Sequence, residues 1–580
     1  GSMLALAALN LGIGIFLIGK YSSWKVPSQA FAYSLPLLAT ALVVFLTGNH
    51  LKTVRAVTEG EPLFYHEGKD STVEIYQDKN NPYYRWLSIN GAVEVTIDYT
   101  SLQTFKVLGH LPLLLHRDPQ DVLMVSLGAG IVLGAVTQHP VRSVDCVEIS
   151  SGAVKAQPFF QKENYGAIQD ERVNLVVDDA RSYLLGTSRR YDVILMDATH
   201  PSSADSWVLY TREYYELCKK KLAEGGLILQ WLPLHQISGR DYTSIIRTFR
   251  SVFPYATLWC TYRHTILMGA LSSIRLDMDQ IIERMQLPAV NASLAEVGLN
   301  HPFVLANCLL MGEQALAQFS EENSAVEINT DNRTPVQFSE SRQYPRDTRA
   351  ANLKQVMEYR ESPLPYLIIP SQLQKGEEEA FKEAFQQFEK VKINNLQGVL
   401  RMEGGEYASA VEVFNNSLQA IPEEADSLNL LNLAKAAYNS QIDQFRARAK
   451  SFKQQLSQED RVQVVDDLLG IGALQLRQGM QEQALEAFKT ASEVNPNNPR
   501  IHHYLGLAYL EEKRFKKASG EWRRAVELDP DYAEAHNFLA VTYYFTREYQ
   551  LAIQHCDRAK KLGYHVKQSF LKALEPYRLN

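Results

Sequence analysis

Several acidic and glycine positions between residues 90 and 200 are spaced to hold a nucleoside and act beside it. Gly128 and Gly130 lie in SLGAGIVLGAV (126–136), after an apolar run and before a helical pattern, where missing side chains let a ligand approach the backbone. Glu148 closes the next apolar run, 20 residues after Gly128, where a carboxylate can accept from both hydroxyls of a ribose. Asp179-Ala180 ends a third run. Together they fit an adenosine, with glycines under the chain, Glu148 on the ribose and Asp179 beside the adenine amine. A third glycine and a phosphate-loop lysine are both missing, which disfavours a pyrophosphate and points to S-adenosylmethionine or a close analogue.

Asp197 ends a fourth run and precedes ATHPSSADSWVLYTREYYE, a loop followed by an aromatic helix. A sulfonium carbon is attacked without acid catalysis, so the protein's tasks are to align the nucleophile and keep it unprotonated. Asp197 suits the second task for an amine; capping a strand–loop junction is its plain alternative. His200 is either a neutral base near pH 7 or a solvated loop histidine. His110, His116 and His235 lack metal-ligand spacing and read as structural or pocket-lining, and no metal is expected.

These residues need a scaffold. DVLMVSLGAG (121–130), SVDCVEIS (143–150), VNLVVDDA (173–180), YDVILMDA (191–198) and GGLILQWL (225–232) are short apolar runs, mostly separated by helical stretches, as in a parallel doubly wound sheet. Ahead of them, TVEIYQD (72–78) and WLSINGAVEVTID (86–98) alternate, with a hairpin turn at Asn90-Gly91. The C-terminal third repeats. Gly472, Gly506 and Ala540 are 34 apart, as are Ala484, Ala518 and Ala552, and Pro496 and Pro530; Gly398, Ala410 and Pro422 keep the same offsets. With the LG..Y pattern at 505–509, this is the tetratricopeptide period, and 426–464 reads as a longer, irregular repeat. Such arrays present a concave face to a protein partner.

Residues 60–270 resemble the spermidine synthase (polyamine aminopropyltransferase) family. The resemblance rests on ING (89–91), the glycine turn, VEI (147–149), Asp179-Ala180, YDVILMDATHP (191–201) and YTREYYELCKKKLAEGG (210–226). QWLPLHQ (230–236) and NTDNRTP (329–335) resemble the membrane-fused subgroup. The resemblance implies an α/β fold, a methyltransferase-like Rossmann domain behind a small N-terminal β-domain, and aminopropyl transfer from decarboxylated S-adenosylmethionine to an amine. It implies catalysis by Asp197 with His200, nucleoside binding by Gly128, Gly130, Glu148, Asp179 and Ala180, and acceptor binding by Glu94 and Tyr210. By analogy a homodimer is expected. Three departures bear on specificity. Ala129 stands where the family has an aspartate that holds the donor's amine, His200 replaces a second carboxylate, and Glu94 stands for a glutamine. The family's Tyr-His-Glu falls near Thr104-Phe105-Lys106. A polyamine needs several carboxylates, so putrescine is expected to be a poor acceptor. Two alternatives stay open: an enzyme acting on S-adenosylmethionine itself, by methyl transfer or other sulfonium chemistry, and a non-catalytic scaffold presenting the repeats at a membrane.

Leu4–Gly19 and Gln29–Gly48 carry no charge and are long enough, marginally for the first, to cross a bilayer as a hairpin. A buried soluble hairpin is the alternative. The expected organisation is 1–52 transmembrane, 53–115 β-domain, 116–345 Rossmann domain, 346–390 linker and 391–580 repeats, anchored in a bacterial-type inner or plasma membrane with catalytic domain and repeats cytoplasmic. Net charge of −7 gives no basic face for nucleic acid. Five scattered cysteines without CxxC spacing disfavour a disulfide framework.

Overall fold

A computed structural model describes residues 60–197, 200–201, 206–336, 348–451, 458–477 and 481–578. The expected transmembrane hairpin lies outside them, and among the described residues no helix is long and apolar enough to cross a membrane. The chain forms two compact units.

The first unit opens with an antiparallel sheet of β1 (Gly60–Glu67), β2 (Thr72–Asp78), β3 (Arg85–Ile89) and β4 (Ala92–Thr96) in sequential order. Asn90 and Gly91 join β3 to β4, both left-handed at φ 52° and 78°, as a tight hairpin turn requires. The β-domain ends earlier than position 115. Asp98 accepts from the backbone N–H groups of Thr100 and Ser101 and starts helix α1 (Tyr99–Leu115), which is buried over nearly its whole length. Buried on so many sides, α1 is a core helix of the α/β layer and not part of the β-domain.

The main sheet contains β5 (Asp121–Val125), β6 (Ser143–Glu148), β7 (Val173–Val177), β8 (Tyr191–Met196), β9 (Leu222–Pro233), β10 (Tyr255–Cys260), β11 (His264–Ala270) and β12 (Leu309–Met311). Its order is β12-β10-β11-β9-β8-β5-β6-β7. Pairings from β9 through β7 are parallel, and β11, β10 and β12 add antiparallel strands. Val125 pairs with Val147 and Met196, Met196 with Gln230, and Glu148 with Val177, so the carboxyl ends of the parallel strands share one edge. The strand order reverses between β5 and β8, the place where open α/β sheets bind ligands.

The second unit holds the repeats. Three helix pairs, Gln458–Arg477 with Gln481–Val494, Pro499–Glu511 with Phe515–Leu528, and Ala533–Phe545 with Tyr549–Lys561, follow a shared spacing rule. A Cβ on Gly398, Gly472 or Gly506 would sit 2.4, 2.2 or 2.5 Å from Phe414, Phe488 or Trp522, each sixteen residues later. Where the glycine becomes Ala540, the position sixteen residues later shrinks to Cys556, and both are fully buried. Close packing of two helices therefore sets both residues of each pair. The irregular region 426–464 holds the long helix Ala425–Ser451 and ends inside Gln458–Arg477, the helix that carries Gly472.

Residues 346–390 are not a free linker. Leu367-Ile368 pairs with Leu276-Asp277 in the first unit. Helix Lys375–Glu403 belongs to the second unit, together with 301–308 and 349–358. Phe303 packs on Phe381, Phe385 and Phe388, and His301 stacks on Phe388 at 4.4 Å. Prolines followed by charge in 361–380 look like a spacer in sequence, but the aromatics that follow have partners far along the chain.

Candidate active site

The glycine turn leaves β5 through Ser126, Gly128 and Gly130, all left-handed at φ 71°, 52° and 77°. Ser126 pays the steric cost that glycine escapes, and its side chain hydrogen-bonds Glu148. A Cβ on Gly130 would lie 2.1 Å from Gln157 Oε1, so the turn tolerates no side chain there. Gln157 and Asn164 hold the turn from below, donating to the carbonyls of Gly128 at 2.8 Å and Ala129 at 3.0 Å. Helix α2 (Ile131–Thr137) starts directly after Gly130.

Glu148 is buried beneath that turn. Its Oε2 accepts from Leu127 N–H at 2.6 Å and its Oε1 from Ser150 N–H at 2.7 Å. Burial pushes its carboxyl above the usual range, against backbone hydrogen bonds that pull the other way. Beside it, Ile149 is 51% exposed although apolar, an open contact at the strand end. Asp179 accepts from Ser182 N–H at 2.8 Å and caps helix α4 (Ala180–Gly186); the intervening α3 is Ser151–Ala156. Ala180 is its buried first residue.

Across the strand reversal, Asp197 donates its backbone N–H to Val125 O at 3.1 Å. Its carboxyl is pushed up to about 7 by burial, then by Glu94 and Glu148. Glu94, on β4, is also pushed up to about 7 by burial, while the backbone N–H of His200 bonds its carboxylate and opposes the shift. Two carboxylates in one poorly solvated place disfavour double ionisation, so the pair shares its titration. Tyr210 is fully buried, with its phenol raised well above the ordinary range by burial and then by Asp197 and Glu94. Glu94 and Glu148 thus act on Asp197, Asp197 and Glu94 act on Tyr210, and His200 joins through its backbone.

The His200 ring points elsewhere. Its Nε2 donates to His235 O at 2.9 Å, which fixes the proton on that nitrogen in the neutral ring. Burial lowers its pKa. The ring sits 5.4 Å from that of His235 and 6.4 Å from Trp231, and His264 adds contacts of 5.3 and 5.5 Å to those two. His235 therefore belongs to a packed imidazole–indole group. His110 instead pairs with His139 and Ser293, each at 2.8 Å, and His116 accepts from Asp118 N–H behind α1. Lys106 is buried, with Nζ on Tyr165, Ser293 and Glu296, so that stretch supports the core.

In sequence, Gln230 and Trp231 carry a family resemblance but no role in the site. Both are buried at the end of β9; Gln230 Oε1 and Trp231 Nε1 lack a hydrogen-bond partner, and Tyr210 bonds the Gln230 side chain. Their signal was a glutamine at the end of an otherwise apolar strand, beside the position of Asp197. Among the described residues, no group of three or more His, Cys, Asp or Glu is placed to hold a metal.

Residues 103–280 match the family described as spermine/spermidine synthase domain, and 474–513 and 508–545 match a tetratricopeptide repeat. A polyamine aminopropyltransferase of Klebsiella pneumoniae is 31% identical over 218 residues, 36% of this chain and 75% of the relative. One from Ruegeria sp. is 26% identical over 41% of this chain and 83% of the relative. For one from Escherichia fergusonii, 32% identical, the matched 29% of this chain spans only 58% of the relative's length. A crystal structure of spermidine synthase from Thermotoga maritima aligns at 18% identity over 41% of this chain and 87% of that one, with a TM-score of 0.34. The glycine turn and the strand-end carboxylates agree with the Klebsiella pneumoniae relative, matched over three quarters of its length: the chain belongs to the polyamine aminopropyltransferase (spermidine synthase) family.

Proposed function

We propose that the α/β unit transfers an aminopropyl group from decarboxylated S-adenosylmethionine to an amine. The observation that carries this reading is the meeting of Glu148, under a side-chain-free turn, with the Asp197–Glu94 pair at the strand reversal. Gly128, Gly130 and Glu148 take the nucleoside, with Ile149 against its apolar face and Asp179-Ala180 at the head of α4. Ribose hydroxyls take the place of the Ser126 hydroxyl and the Gly128 N–H, which now donate to the Glu148 carboxylate. Tyr210 and Glu94 line the acceptor side. Asp197 takes the proton from the attacking ammonium. The nitrogen lone pair forms the C–N bond as the C–S bond breaks, and methylthioadenosine leaves as a neutral thioether. The sulfonium's positive charge favours ionised Asp197 and Glu94, so donor binding prepares the base. His200 acts mainly through its backbone N–H on Glu94.

One observation favours a second reading, use of S-adenosylmethionine itself. The buried Ala129 has no carboxylate to hold a donor amine. Calorimetry and product analysis decide between them. Decarboxylated S-adenosylmethionine should bind at least about tenfold more tightly than S-adenosylmethionine, a difference of ~1.4 kcal/mol, and yield an aminopropylated amine. Consumption of S-adenosylmethionine with no such product defeats the first reading.

We further propose that Leu4–Gly19 and Gln29–Gly48 anchor the chain, with the catalytic unit and repeats on the cytoplasmic face and the repeats recruiting a protein partner. Both segments are free of charge, and sulfonium nucleosides are made in the cytosol. Deleting residues 3–50 should abolish the need for detergent; a full-length chain monodisperse without detergent rules the anchor out.

A further inference from the structure

The NTDNRTP stretch supplies none of the groups assigned above, yet its polar atoms bind the elements that carry them. Asn329 is fully buried. Its N–H donates to Thr248 Oγ1 at 2.7 Å, its Nδ2 to Tyr210 O at 3.0 Å, and its carbonyl accepts from Arg212 N–H at 2.9 Å. Asp331 donates its N–H to the Glu213 carboxylate at 3.0 Å. Its own carboxylate accepts from both terminal nitrogens of Arg181 and from the Thr211 hydroxyl. Thr330 and Arg333 exchange backbone hydrogen bonds, which holds the asparagine and the aspartate in one tight turn.

The turn therefore grips residues 210–213 on one side and Arg181 on the other. Arg181 follows Asp179-Ala180 in the first turn of α4. Buried backbone groups must find partners. The carbonyl of Tyr210 and the N–H of Arg212 find theirs in Asn329, not in their own helix. Where Tyr210 sits is thus decided by a residue more than a hundred positions later in the chain.

We propose that Asn329–Asp331 is a brace that sets the spacing between the acceptor side of the site at Tyr210 and the nucleoside side at the head of α4. These are positioning residues, and the inference rests on the reading of Tyr210 and Asp179 given above. Breaking the brace loosens Tyr210 while Glu148 and the glycine turn keep the nucleoside.

The test uses the full chain with Asp331→Ala and the charge-exchanged pair Arg181→Asp with Asp331→Arg. Hydrogen exchange is followed in residues 206–213, methylthioadenosine affinity by calorimetry, and amine turnover by kinetics. Asp331→Ala should speed exchange in 206–213 by about tenfold, the mark of a local opening. Methylthioadenosine affinity should change less than about twofold, and the acceptor KM should rise about tenfold with kcat within about threefold. The exchanged pair should recover at least half of the KM change. Unchanged exchange in 206–213 overturns the brace. So does an equal loss of kcat, affinity and thermal stability that the exchanged pair fails to recover, because that is general unfolding. If the wild type aminopropylates no amine, the reaction reading fails while the exchange measurement still decides the brace.

Discussion

Glu94 is the departure whose consequence can be worked out most fully. It stands where the family has a glutamine, and it is the second cause, after burial, of the raised Asp197 pKa of about 7. Glu94→Gln removes the like charge and keeps the shape. Two like charges a few ångströms apart at an effective dielectric near 20 interact by ~3 kcal/mol, an upper bound for a pair that shares its titration. About half of that is one pKa unit, which moves Asp197 to about 6; burial still holds it above the ordinary carboxylate range. Because Glu94 itself titrates at about 7, it is mostly protonated at pH 6 and charged at pH 8, so it opposes ionisation of Asp197 only as its own charge develops, and at pH 8 the base is close to fully ionised in both proteins. The ratio of variant to wild-type kcat/KM should therefore be near one at pH 6 and pH 8 and pass through a maximum of about 1.5-fold to twofold near pH 7. Taking the ratio cancels the titration of the amine acceptor itself. The assay is initial-rate aminopropyl transfer across that range at fixed ionic strength. A pH-independent ratio would mean that Glu94 and Asp197 do not share an electrostatic environment, and the base assignment would lose its main support.

The same carboxylates predict a stability trend. Their folded pKa values lie above those of the unfolded chain, so the apo protein is most stable below about pH 4 as far as these two groups are concerned, and loses that contribution as pH rises through about 7. The Tm gain from a sulfonium nucleoside should accordingly be larger at pH 8 than at pH 5 by thermal shift; an equal gain refutes the trend. Glu148→Ala should weaken methylthioadenosine binding by about a hundredfold, from two charge-assisted bonds of ~1.5–3 kcal/mol each, and unchanged calorimetric affinity removes the nucleoside assignment. Putrescine should be a poor acceptor, and His200→Asp should change its turnover less than about twofold because the side chain at 200 points toward His235; efficient putrescine use by the wild type in the kinetic assay overturns the claim of a drifted acceptor pocket, and a large gain with His200→Asp overturns the backbone role of His200. In the repeats, Trp522→Ala should cost ~3–5 kcal/mol in denaturant unfolding of the second unit, since the ring is fully buried over Gly506.

Local rules made much of this chain legible. The Asn90-Gly91 turn, the glycine turn before α2, the order of the apolar runs and the 34-residue period all follow from contacts among near neighbours or from period alone. Glu148 and Asp197 were readable because a strand-end carboxylate is fixed by chain order once the sheet is parallel. The boundaries at 115 and 346–390 were not. Helix α1 looks like the end of the β-domain until its burial is seen, and Phe303 meets Phe388 only through the fold.

The sequence by itself determined where in each strand the turn glycines and the end carboxylates stand, because periodicity and turn chemistry act over a few residues. Only the tertiary structure decided how they interact. It turned the His200 ring toward His235 and its N–H toward Glu94, placed Glu94 within the field of Asp197, and bound Tyr210 to Asn329. Desolvation and charge coupling depend on distances between segments far apart in the chain, and no local pattern records those distances.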